Sequence, residues 1–169
     1  MPAQTVTPRP AKPTPTPTQT PTSRSTEPTP TPARVALVEG PALAIGEVMF
    51  AAEVALTAQE RQKGLSGRDA LEPLTGMLFL SARSIWMKGM RFPLDLVWIT
   101  GDCTVARVDA RVPAPQPDVS DADIPRRAAG SEAEHVFEIN AGEAEKHGIA
   151  VGAPVRFVGI EAETGGLCE

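Results

Sequence analysis

The chain has 169 residues, of which 22% are charged and 4% aromatic, and a net charge of −5 at neutral pH. Arg9, Lys12, Arg24 and Glu27 give residues 1–33 a charge of +2, so the remaining 136 residues carry −7. An acidic domain without a basic stripe argues against nucleic acid or an anionic membrane surface as partner, and no apolar run reaches membrane-spanning length.

The first segment is compositionally distinct. Between Thr5 and Pro32, 19 of 28 residues are Thr or Pro, and no aromatic residue precedes Phe50. Such a stretch cannot bury enough apolar area to offset its ordering entropy. Repeated Pro-Thr pairs favour polyproline II, and a rise of about 3.1 Å per residue makes a stiff spacer of roughly 80 Å. The expected organisation is a disordered Thr/Pro-rich linker or stalk over residues 1–33 and a single compact domain over 34–169, near the common domain size. No charged and then apolar leader precedes the stalk. The expectation is an extracytoplasmic protein, secreted or surface-anchored, whose export signal is not present in this chain.

In the domain, the small and apolar run of residues 47–56 stops at Thr57. Thr57 and Glu60 have the spacing of a capping box, in which the hydroxyl accepts the Glu60 amide and the carboxylate reaches back. Gly64 then supplies the helix stop. Apolar alternation predicts strands at 77–80, 84–87, 94–99, 104–112, 135–139 and 154–160, with Gly101-Asp102 as a hairpin turn. Residues 113–130 are polar and Pro-rich, with Asp118, Asp121 and Asp123 before Arg126 and Arg127. They read as a long surface loop, a common place for function. Asn140, Glu143 and Gly148 repeat the capping grammar, with Asn140 at the N-cap. Short strands with frequent Gly and Pro breaks predict a mainly β fold, a small β-sandwich or barrel-like domain with two short helices.

Residues 76–100 concentrate the chemical signal. They hold both tryptophans, Trp86 and Trp98, with Phe79 and Phe92, and set Arg83, Lys88, Arg91 and Asp95 among them. Charges in an apolar frame must be paired or offered to a ligand. Trp86 and Lys88 share one strand face, with Met87 on the other. That is either an edge Trp covered by a Lys stem or an aromatic-plus-cation binding face. Arg68, just past the first helix, either pairs with Asp95 or Glu138 or binds an anionic group, since its fork suits a carboxylate. Asp95 and Glu138 both sit in apolar strands, and general acid–base work by this carboxylate pair is the best enzymatic alternative, a small hydrolase or lyase. The candidate ligand-binding set is Arg68, Trp86, Lys88, Asp95 and Glu138. No residue is assigned as catalytic.

Other chemistry lacks its pattern. Cys103 and Cys168 lie 65 residues apart and match no metal cluster or redox pair. They form either one disulfide tethering the C-terminal tail or two unrelated thiols, and the second is favoured. His135 and His147 have no clustered partners, so no metal is expected. Phosphate loops and nucleophile elbows are absent, and no cofactor is expected.

Several separated motifs carry a resemblance: Thr57, Glu60, Arg61, Gly64, Leu65 and Arg68; Gly76-Met77-Leu78-Phe79; Trp86-Met87-Lys88; Pro93-Leu94-Asp95; and the run from Phe137 to Gly142. Together they resemble the family called domain of unknown function 192, over roughly residues 48–157. Members usually show Asn-Thr after Trp-Met-Lys, where this chain has Gly89-Met90. The resemblance implies a compact, mainly β domain with short helices, frequently exported in prokaryotes, and no established activity. The expected function is an extracytoplasmic binding or accessory module displayed on the stalk, with a small molecule or a protein as partner.

Overall fold

A computed structural model describes residues 40–160. The stalk, its boundary with the domain and Cys168 lie outside the described residues. Nine strands form here: β1 (Ala42–Ile45), β2 (Val48–Val54), β3 (Thr75–Phe79), β4 (Ser84–Trp86), β5 (Leu94–Thr100), β6 (Val105–Val112), β7 (Arg126–Ala128), β8 (Ala133–Asn140) and β9 (Val155–Val158). Two short helices, α1 (Ala58–Lys63) and α2 (Glu143–Lys146), and a 3-10 turn at Asp121–Asp123 complete the set.

Seven strands make one sheet in the order β6-β5-β8-β3-β2-β1-β9, and β4 and β7 form a separate pair. Gly46, at φ 59°, turns β1 into β2 in two residues, a left-handed conformation that costs glycine little. The β2–β3 pair is parallel, so its connection must cross over, and α1 lies within that connection. The sheet curls. Thr104 bridges Pro154, and Val105 N donates to Ala153 O at 2.9 Å, so the two ends of the strand order meet at one rim. The fold is mainly β: a curled, half-barrel sheet with a small second sheet and two short helices.

Alternation divides the core. Leu43, Ile45, Phe50, Leu78, Val97, Ile99, Val105, Phe137, Ile139 and Val155 fill the inner face. Gly76 is obligatory there, because an added Cβ would stand 2.5 Å from the Phe137 ring and from Glu138 O. Met77, Phe79, Leu94, Leu96, Trp98 and Val136 form the outer face, covered by Leu65, Leu71, Ile85, Met87 and Met90. The segment after α1 and the β4–β7 pair thus form a layer over the outer face.

The first capping box is present, with Glu60 N on Thr57 Oγ1 at 3.1 Å and Thr57 N on Glu60 Oε2 at 2.8 Å. The second is not. The N-cap of α2 is Gly142, which has no side chain to cap with, and Asn140 instead donates to Leu71 O at 3.1 Å. Two strands escape the alternation pattern: β1 is only four residues long and buried throughout, and β7 lies inside the expected loop.

Candidate functional site

The helix end that Asn140 leaves uncapped is served from the neighbouring strand. Asp95 on β5 is fully buried. Its Oδ2 accepts from Gly142 N and Ala144 N, both at 2.9 Å, and its Oδ1 from Arg111 N at 2.7 Å. Three backbone amides saturate this carboxylate, which ties α2 and β6 to β5. Asp95 acts as a clasp, buried and held by main-chain amides.

Glu138 is also buried, yet no described residue donates a hydrogen bond to its carboxyl. Met77 and Leu96 are its cross-strand neighbours. Burial in that apolar frame pushes its pKa up to about 8, so it is neutral at pH 7. Strand register fixes its relation to Asp95. Leu96 pairs with Glu138, and Asp95 pairs with Ile139, so the two carboxyls leave opposite faces of the sheet. They cannot share a proton or a substrate, which removes the carboxylate-pair arrangement.

Arg68 meets neither of them. Its guanidinium forks onto Glu53 of β2, Nη1 to Oε1 at 2.6 Å and Nη2 to Oε2 at 2.7 Å. The side chains are 37% and 55% exposed. The hydrogen bonds from Arg68, opposed by partial burial, hold the Glu53 carboxyl below its ordinary range. Glu53 shares the outer face with Met77 and Glu138 through the β2–β3–β8 register. A shallow cleft of about 340 Å³ beside the pair is lined by Leu71, Glu72 and Thr75 among others, but its one cation, Arg68, is already paired with Glu53.

The aromatic and the cations converge elsewhere. Trp86 on β4 pairs directly with Arg126 on β7, and both project from the side of the small sheet opposite the buried Ile85 and Met87. Lys88 Nζ stands 5.2 Å and Arg126 Cζ 4.1 Å from the Trp86 ring centroid, within cation–π range. Lys88 also pairs with Asp121 at 2.5 Å, which draws the 3-10 turn alongside. The result is a cleft of about 520 Å³ lined by Trp86, Asp121, Ala122, Asp123, Ile124, Pro125 and Arg126.

The backbone under Lys88 is fixed from the helix side. Ser66 Oγ donates to Lys88 O at 2.6 Å, and Gly67 N to Gly89 O at 2.9 Å. Gly89 has φ 70°. That left-handed conformation costs glycine little, so Gly89 suits the turn. Met90 is buried in the outer core.

Of the five candidate residues, therefore, Trp86 and Lys88 come together, while Arg68, Asp95 and Glu138 stand in three separate environments. Asp121 and Arg126 were visible in the sequence only as members of the 113–130 loop, marked by its length and its switch from acidic to basic, and Ile124 was not singled out. Cys103 is disulfide-bonded, which corrects the expectation of two unrelated thiols. Among the described residues, no cluster of His, Cys, Asp or Glu is placed to hold a metal ion, and no helix is long and apolar enough to cross a membrane.

The chain matches the family model of domain of unknown function 192 (DUF192), described as "Uncharacterized ACR", over residues 42–157. No curated protein matches it. Two solved structures are similar. A protein of unknown function from Novosphingobium aromaticivorans is 28% identical with a TM-score of 0.59, covering 68% of this chain and 83% of its own. A "putative transcription regulator" from Sinorhizobium meliloti is 26% identical with a TM-score of 0.57, covering 71% of this chain and 93% of its own. The chain belongs to the DUF192 family.

Proposed function

We propose that this DUF192 domain is an extracytoplasmic binding module, carried on its Thr/Pro-rich stalk, that takes a ligand in the Trp86 cleft. The observation that carries this reading is the cleft itself: an aromatic ring flanked by two cations beside an apolar wall of Ile124 and Pro125. Aromatic rings with a charged group at the edge hold ligands by apolar contact and a charge-assisted bond together. A bonded Cys103 supports an oxidising compartment, and the stalk composition suits display away from a surface. The name of the Sinorhizobium neighbour suggests DNA binding. A domain charge of −7 and helices of six and four residues lend that no support.

The test is a fragment screen on the 15N-labelled full chain, followed through the two indole N–H resonances. Binding in the cleft shifts Trp86 and leaves Trp98 in place, because Trp98 is fully buried and its Nε1 is held by Asp109 at 3.0 Å. Fragments that bind without moving Trp86 would place the ligand elsewhere and end this reading.

A further inference from the structure

Arg126 differs from the cations around it in one respect, its charge balance. Lys88 is paired with Asp121. Arg107 and Arg127 both reach Asp109, at 3.0 and 3.9 Å. Arg126 has no carboxylate partner and donates no side-chain hydrogen bond among the described residues. Its guanidinium lies instead over the Trp86 ring, 4.1 Å from the centroid. Contact with an indole restricts the guanidinium and leaves its N–H fork unused, so little is lost when an anion arrives.

The rest of the cleft limits which anion fits. Ile124 is 7% exposed and makes, with Pro125 and Ala122, an apolar wall. Asp123 also lines the cleft and has no ion-pair partner among the described residues. Lys88 and Asp121 cancel, which leaves one positive and one negative charge in a domain of net −7. A dianion such as phosphate meets repulsion from Asp123 and from the domain as a whole, whereas a single carboxylate on Arg126 meets half as much. The fork geometry also favours a planar two-oxygen group.

We infer that the cleft binds a small monocarboxylate with an apolar body, its carboxylate on the Arg126 fork and its body against Ile124, Pro125 and the edge of Trp86. This rests on the Trp86 cleft being the ligand site, and it adds the class of ligand.

Calorimetric titration of the full chain with 3-phenylpropionate, with 3-phenylpropionamide and with inorganic phosphate tests it, with the Trp86 indole N–H followed in parallel. The acid binds about tenfold or more tightly than the amide, as expected for a charge-assisted pair, and more tightly than phosphate. Arg126→Gln brings the acid down to the level of the amide. The acid–amide comparison uses the unaltered chain, so it holds even if that variant folds poorly. Equal affinity for acid and amide, with Trp86 shifting for both, overturns the carboxylate claim and leaves the cleft as the site. Tighter binding of phosphate, or no binding of the acid, also overturns the carboxylate claim. Acid binding that leaves Trp86 unmoved overturns both.

Discussion

Two buried carboxyls on adjacent strands have opposite fates, and the difference lies in what faces them. Asp95 meets three amides and stays satisfied. Glu138 meets methionine and leucine and is held protonated. Its folded pKa of about 8 lies above the ordinary carboxyl value of 4.5. The folded state therefore binds a proton that the unfolded chain has released anywhere between those limits. Stability from this group is complete below about pH 4.5 and declines as pH rises toward 8, by at most about 1.4 kcal/mol per pH unit. Glu138→Gln should remove that decline, making the variant more stable than the parent at pH 8–9 and changing little near pH 4. Urea unfolding across the range checks it. Parallel pH profiles for parent and variant would show that Glu138 ionises freely in the fold.

Asp95 carries the reverse expectation. Asp95→Ala orphans three buried amides, each worth about 1–3 kcal/mol, and should cost several kcal/mol in the unfolding free energy. A loss under about 1 kcal/mol would mean that water reaches α2 and the clasp is dispensable. The sequence showed that Asp95 was a charge in an apolar strand. It could not show that the partners were main-chain amides 16 to 49 residues away, because backbone donors have no sequence signature.

Among the elements, α1 was legible because all its determinants are local: Thr57, Glu60 and Gly64 lie within one turn or two of each other. Thr57→Ala should cost about 1 kcal/mol, read as a shift in the unfolding midpoint. The second helix copies the same letters and uses a tertiary cap, so the local rule failed there. The interior strands β3, β5 and β8 were legible from apolar runs. β7 was not, since Arg126 and Arg127 face ways that only pairing with β4 decides. Arg68 repeats that lesson: its partner Glu53 belongs to a strand 15 residues earlier, and the crossover connection between β2 and β3 brings them together. Being exposed, the pair should be worth about 0–1 kcal/mol. Arg68→Ala should therefore shift stability by no more than that, and a cost near 3–5 kcal/mol would indicate a buried pair.

At the scale of the molecule, the curl of the sheet separates two jobs. The inner face holds the domain together around Phe50 and Phe137, whose rings meet edge-on at 5.7 Å. The outer face carries a second layer, and the cleft lies on that layer's outer side, where Trp86 is only half-buried. In the proposed role, Trp86 serves a ligand more than it serves the core. Trp86→Ala, measured for both unfolding and fragment binding, tests this most directly. The expected result is a stability loss of about 1–2 kcal/mol, below the 3–5 kcal/mol typical of a buried aromatic, together with loss of cleft binding by about tenfold or more. A variant that loses 3–5 kcal/mol, or that keeps the affinity of the parent, would contradict it.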